Sequence, residues 1–300
     1  MKKIILTLSL LSSFVFSNEI NESSNAYYSI TRNSFENQNW VDVINRSKFI
    51  IKNYPDSPFI KDILFYAAVS YYNVEDLELS NKYFTRYLKG DFAPAYFEEV
   101  MHYKYSIAEK FKNGSRKRAF GWKKGPKLID SEEDALFIFD EVIASMPNHE
   151  LACKSMFSKA QIKLSYHEYK EAVEIYQNLI KRFPRDDLAI QSFVEIAKTF
   201  RIQTTYKQQN FDILELAKLN LSKLKENYSY EEEKILEVEN ILSEMNEIFA
   251  KGLLDTANFY ENSKKIPACK MYYTKVIKNF PNTKSANAAK EKLNKLESVS

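Results

Sequence analysis

Apolar residues recur at steps of three and four along most of the chain, and one stretch shows the pattern most cleanly. Between Tyr169 and Phe183 the apolar positions are Tyr169, Ala172, Val173, Tyr176, Leu179, Ile180 and Phe183, which form one stripe on an α-helix. Pro184 ends it, because proline has no N–H to continue the ladder and disfavours helix at the residue before it. A short helix with one apolar face needs partners, and the chain supplies near copies. Ile266, Cys269, Tyr273, Val276, Ile277, Phe280 and Pro281 repeat the spacing 97 residues downstream. Ala135, Phe139, Val142, Ile143, Met146 and Pro147 do so 37 residues upstream. Trp40, Val43, Ile50, Ile51, Tyr54 and Pro55 give a looser copy near the start.

Each copy reads as the second (B) helix of a two-helix hairpin. A helices are expected at 26–36, 60–72 and 94–111, with B partners at 77–88 and 131–145. A further pair at 188–206 and 211–227 lacks the closing proline and is followed by one long helix over 230–261. A charged, Ala- and Lys-rich cap is expected at 285–296, since terminal repeats carry a polar outer face. Small residues at Ala68, Ala160 and Ala257 let A approach B, and Ser80, Ala135, Ala172 and Ala217 do the same from the B side. Large residues four positions on (Phe84, Phe139, Tyr176, Leu221 and Tyr273) are expected to fill the gap between hairpins. The spacing is close to the 34 residues of a tetratricopeptide repeat. The fold class is therefore all-α, a right-handed solenoid of about six hairpins over 26–297, whose stability comes from stacking.

Composition changes this picture little. Five glycines, 8 prolines and 28% charged residues suit helices with little loop. A net charge of +3 gives no global attraction to nucleic acid, which is not expected as a partner. Cys153 and Cys269 are read as buried thiols, a disulfide staying open because distance in space decides it. Lys2 and Lys3, the apolar run from Ile4 to Phe16, and small residues at Val15 and Ser17 have the form of a secretory signal peptide. Cleavage after Ser17 and export are expected, with 18–25 a disordered linker and no cysteine near the cut to carry a lipid.

Chemistry is sparse. His102, His149 and His167 are scattered, with no His-x-x-x-His pair, phosphate loop or Gly-x-Ser-x-Gly elbow. No catalytic residue, metal or cofactor is expected. Two binding features stand out. Residues 113–130 form a basic insert in which Arg116, Lys117, Arg118, Lys123, Lys124 and Lys127 surround Phe120 and Trp122. It suits docking on an anionic membrane surface or an acidic partner; the rival reading is a solvated loop with its aromatics packed back. On a tetratricopeptide register the first two A helices offer Tyr28, Arg32, Phe35, Phe65, Val69 and Tyr72 as a groove. Such a trough suits a peptide with aromatics and a terminal carboxylate; the rival reading is packing between repeats.

Three stretches carry a resemblance. They are NYPDSPFIKDILFYAAVSYYNVEDLELSNKYFTRYL (53–88), KLSYHEYKEAVEIYQNLIKRFP (163–184) and FAKGLLDTANFYENSKKIPACKMYYTKVIKNFPNTKSANAAKEKL (249–293). On these the chain resembles the BamD family, the periplasmic tetratricopeptide component of the outer-membrane β-barrel assembly machine. The resemblance implies a scaffold associated with the outer membrane. Its N-terminal repeats would receive unfolded outer-membrane proteins, and its C-terminal repeats would hold a BamA-type barrel-assembly protein. The chain departs from the family in lacking a lipidated cysteine, in the insert at 113–130 and around Asn210. A second reading is a periplasmic adaptor for envelope or division machinery, similar to the Tol-linked coordinators. Those usually carry a coiled coil before the repeats, and 18–25 is too short for one.

Overall fold

The computed structural model describes residues 24–89, 94–118, 127–129, 131–205 and 210–298. The chain divides into two compact units, Met1–Pro147 and Asn148–Ser300. In the first unit the described residues form three helical hairpins: α1 (residues 24–36) with α2 (Trp40–Asn53), α3 (Ile60–Asn73) with α4 (Leu77–Leu88), and α5 (Phe97–Lys112) with α6 (Glu132–Ser145). In the second they form three more and a cap: α7 (Glu150–Ser165) with α8 (Tyr169–Arg182), α9 (Asp187–Gln203) with α10 (Phe211–Asn227), α11 (Glu232–Asn262) with α12 (Ile266–Asn279), then α13 (Lys284–Ser298). The described residues thus hold six hairpins with a closing helix, and the long helix expected over 230–261 is the single 31-residue α11.

Five of the six A helices end in the same turn. Gln38, Glu75, Gly114, His167 and Lys264 each sit two residues past the helix end with φ between 56° and 93°. In the second hairpin the Glu75 N–H donates to the Tyr72 carbonyl and the Asp76 N–H to the Tyr71 carbonyl, at 3.1 and 2.9 Å. The pattern recurs at the other four, as Gly114 N–H to Phe111 O and Ser115 N–H to Lys110 O show in the third. Two otherwise orphaned carbonyls are thereby satisfied. A left-handed backbone costs a non-glycine residue roughly 1–2 kcal/mol, and four of these five are not glycine, so the turn is held by its hydrogen bonds and the packing of the helices it joins. Gly114 occupies this place at the entry to the insert.

Five of the six B helices also share an ending, while α4 closes on an extended Lys89. Tyr54, Met146, Phe183, Tyr228 and Phe280 cap their helices with φ near −130° and ψ near 55°, each N–H returning to the carbonyl four residues back. Proline follows in four cases, but Tyr228 does the same before Ser229. Its hydroxyl donates to the Pro184 carbonyl at 2.7 Å, tying the end of one hairpin to the end of the one before. The bulky cap residue is thus common to all five endings, and proline is not.

The small residues sit where close approach requires them. Ala68, Ala160, Ala257, Ser80, Ala135, Ala172 and Ala217 are all buried, and the Ser80 hydroxyl donates to the Ala68 carbonyl across the hairpin. The repeat period is visible in the hydrogen bonds from one A helix to the next. Tyr28 to Asp62, Tyr72 with Ser106, and Lys292 to Asn258 each span 34 residues.

Two expectations are corrected. The described part of helix α1 starts at residue 24 with Ser24 buried, so the linker expected over 18–25 does not extend through Ser24 and Asn25. Leu221 does not fill the gap between hairpins: α10 is rotated so that Leu214, Ala217, Asn220 and Leu224 face inward and Leu221 is half-buried. The turned-in Asn220 is held by its side-chain N–H donating to the Phe193 carbonyl at 2.8 Å. The fold is all-α as expected, with one short addition at the insert. Lys117–Arg118 pair antiparallel with Lys127–Ile129 in a bulged ribbon at the base of the insert. Residues 1–17, read as the signal peptide, lie outside the described residues, and no described helix is long and apolar enough to cross a membrane.

Candidate functional site

The groove expected in the first unit is largely closed by its own rings. Tyr28 stacks on Phe59 at 4.2 Å, and its hydroxyl donates to Asp62. Phe35 stacks on Tyr66 at 4.4 Å, and Phe65 on Tyr96 at 4.3 Å. Phe65 and Val69 are each only 4% exposed, so neither can floor an open groove. Tyr72 meets the Tyr103 ring edge-on, shares a hydrogen bond with Ser106, and lies under the Lys110 ammonium at 4.4 Å. Arg32 is exposed, but its guanidinium is bonded to Glu36 at 2.9 Å. Of the six residues, Tyr28, Arg32 and Phe35 keep accessible surface on α1, while Phe65 and Val69 are packing between repeats. Aromatic pairs of this geometry contribute about 0.5–1.5 kcal/mol beyond their buried area, which is why these rings cover one another.

Beneath that ladder lies a cation not singled out in the sequence. The Lys104 side chain is 1% exposed. Its ammonium donates three hydrogen bonds, to Asn81, Thr85 and Glu141, at 2.8, 2.9 and 2.7 Å. Three donors meet three acceptors on α4 and α6, so the charge is buried but fully satisfied. Burial pushes the Lys104 ammonium below the usual lysine range, and Glu141 opposes that shift. Its role is to lock the second hairpin to the third.

The insert is described in part. Arg116 is exposed, and Lys117 and Arg118 lie on the first strand of the ribbon. Phe120, Trp122, Lys123 and Lys124 fall outside the described residues. The far side of the insert is anchored where the buried Ser131 donates to the Ser115 carbonyl at 2.8 Å.

An open apolar groove of about 280 Å³ lies in the second unit. Helices α8 and α10 form its walls and α9 its floor. Phe193, Ile196 and Phe200 line the floor, with Ile180 on one wall and Leu216 and Leu219 on the other. The two leucines are 48% and 50% exposed. Lys181 stands on one wall, Lys223 on the other, and no carboxylate is among the lining residues. The groove follows from the rotation of α10: with Asn220 turned in, Leu216 and Leu219 are left beside the floor instead of under the next hairpin. A sequence signal existed. Counting from Ala172 and Ala217, the places of Leu216 and Leu219 hold Glu171 and Glu174 in α8.

Burial pushes the Cys153 thiol up to about 12, helped by Asp186, and both cysteines are free and buried. His149 caps α7 by accepting the Leu151 N–H at 3.1 Å, and His167 occupies a left-handed turn. Among the described residues no group of three or more His, Cys, Asp or Glu is placed to hold a metal.

Residues 155–186 match the tetratricopeptide repeat family. The match runs from within α7, through the turn at His167 and α8, to Asp186, so this hairpin carries a tetratricopeptide repeat. Over 74 residues the chain is 27% identical to the signal recognition particle subunit SRP72 of Dictyostelium discoideum, covering 25% of this chain and 11% of that protein. Among solved structures, a tetratricopeptide repeat protein from Parabacteroides merdae is 11% identical, with 91% of this chain and 98% of that one covered and a TM-score of 0.38. A fragment of MamA from Desulfovibrio magneticus is 13% identical, with 71% and 98% covered and a TM-score of 0.37.

Proposed function

We propose that this protein is a non-enzymatic, exported repeat scaffold that binds client and partner proteins during outer-membrane β-barrel assembly. Binding is supported foremost by the groove of the second unit, where three helices leave a basic-rimmed apolar channel open. The outer-membrane role is supported by the resemblance to the BamD family. The three stretches that carry it fall on α3–α4, on α8 with the end of α7, and on α11–α13, all folded as hairpins or cap. In this reading a BamA-type protein is held by the second unit, and unfolded outer-membrane proteins meet the partly exposed face of α1. Periplasmic placement rests on the leader-like residues 1–17.

The test is affinity purification of the tagged full chain from cross-linked envelope fractions, followed by mass spectrometry. A barrel-assembly protein is the expected co-purifying partner. Recovery of intact protein without one, repeated with cross-linkers of different reach, overturns the outer-membrane role.

A further inference from the structure

We infer that the α8–α10 groove takes an amphipathic helix whose apolar stripe is flanked on both sides by aspartate or glutamate. The inference rests on the reading of the protein as a protein-binding scaffold, and not on its place in outer-membrane assembly. Three observations carry it. The floor is apolar and already buried at Phe193, Ile196 and Phe200, while Leu216 and Leu219 on the wall stay about half exposed. Burying those leucines under apolar side chains is favourable in proportion to the area removed from water.

Charge selects the partner. Lys181 and Lys223 come from opposite walls, and neither ammonium has an ion pair or hydrogen bond among the described residues. The neighbouring Lys218 and Lys225, by contrast, are paired with Glu215 and Glu239. With no acid in the lining, the rim favours carboxylates on both flanks of whatever enters and repels a basic segment.

Backbone satisfaction selects the conformation. The walls and floor are helices whose own N–H and C=O groups are paired, so no strand edge is offered to an incoming chain. An extended peptide laid in an apolar channel would leave its backbone groups unpaired, whereas a helix brings its backbone already satisfied. The volume of about 280 Å³ suits a few inserted side chains rather than a whole small ligand.

The experiment titrates fluorescent peptides of about 18 residues, long enough to form a helix, with the full chain. One carries leucines at i, i+3, i+4 and i+7 with glutamates on both flanks, a second has lysines in their place, and a third has the leucines scrambled. The glutamate peptide is expected to bind at least about tenfold tighter than either control, a difference that shrinks as salt screens the rim. Leu219→Glu, at an exposed position, should abolish its binding. Lys181→Glu/Lys223→Glu should reverse the preference between the glutamate and lysine peptides. Equal binding of all three peptides, binding unchanged by Leu219→Glu, or anionic vesicles binding through these residues while the peptides do not, overturns the inference. Envelope purification with Leu219→Glu separates the two readings. Loss of peptide binding with the barrel-assembly partner retained leaves the function standing on another surface, and peptide binding without that partner leaves the groove standing alone.

Discussion

Helices α8 and α10 are the second helices of neighbouring hairpins, cut to one pattern and used differently. Tyr176 in α8 and Leu221 in α10 both lie seven residues before the capping aromatic, Phe183 or Tyr228. Tyr176 is fully buried and Leu221 only half so. In α8 the flanking places hold Glu171 and Glu174, which keep that surface in water; in α10 they hold Leu216 and Leu219, and the surface becomes a groove wall. A rotation of one helix, held by one side-chain hydrogen bond at Asn220, separates a closed repeat from an open one. The difference teaches that a binding surface can arise in a repeat without any added segment, simply by turning a helix whose second stripe is already apolar.

The comparison predicts unequal costs. Tyr176→Ala should destabilise the protein by about 3–5 kcal/mol, because a fully packed aromatic leaves a cavity. Leu221→Ala, at the matching place, should cost about 1 kcal/mol, since much of its side chain is already wet. Urea denaturation followed by circular dichroism measures both, and equal losses would show that α10 is seated as α8 is.

Helix α12 sharpens the point. Tyr273 stands seven residues before Phe280 and is buried like Tyr176, but its hydroxyl lies 2.8 Å from the side-chain oxygens of both Asn258 and Glu261, with its one proton directed to the Glu261 carboxylate. The Tyr176 hydroxyl has no hydrogen-bond partner among the described residues. Tyr273→Phe should therefore cost about 2 kcal/mol, the range for a hydrogen bond to a charged group. Tyr176→Phe should be neutral or stabilise by up to about 1 kcal/mol, because it removes an unsatisfied buried group. Opposite signs in the same denaturation assay are expected, and a loss in both would sink the distinction.

The smallest effect concerns pH. Hydrogen bonds from Lys292 and then Tyr273 hold the Glu261 carboxyl below the usual carboxylate range. Its stabilisation is complete above the unfolded value of about 4.3 and is lost as pH falls through the lower folded value. Lys292→Met should reduce stability slightly at neutral pH, with the difference from the parent shrinking as pH falls, so the midpoint of acid unfolding, read by circular dichroism, moves only slightly upward. Both partners are partly exposed, so the shift is a fraction of a pH unit, roughly what a screened pair gives. An unchanged midpoint would remove Lys292 from the cause.

Much of the fold was legible from periodicity. The hairpins, the small residues at their crossings and the unbroken α11 all follow from apolar steps of three and four, because helices this short are stable only when that stripe is covered. The first-unit groove was read from a register that places Phe65 and Val69 on the inner wall. It could not say that Tyr96 would stack on Phe65 and close that part of the wall. Lys104 was illegible for a similar reason. A lysine in a helix reads as solvated unless Asn81, Thr85 and Glu141 are known to converge on it, and they lie 19 to 37 residues away. The paired leucines of α10 were readable in principle, by laying α8 beside α10 and asking where glutamate becomes leucine.

Local pattern alone was enough to make this chain a series of helical hairpins, because spacing and steric stops act within one helix and its turn. Which apolar faces close and which stay open was settled by long-range partners. Ring stacking between A helices shut the first-unit trough, and one amide bonding to the Phe193 carbonyl turned α10 away and left the second-unit channel uncovered. Those outcomes depend on orientation between helices, which a one-dimensional pattern of apolar and polar positions does not carry.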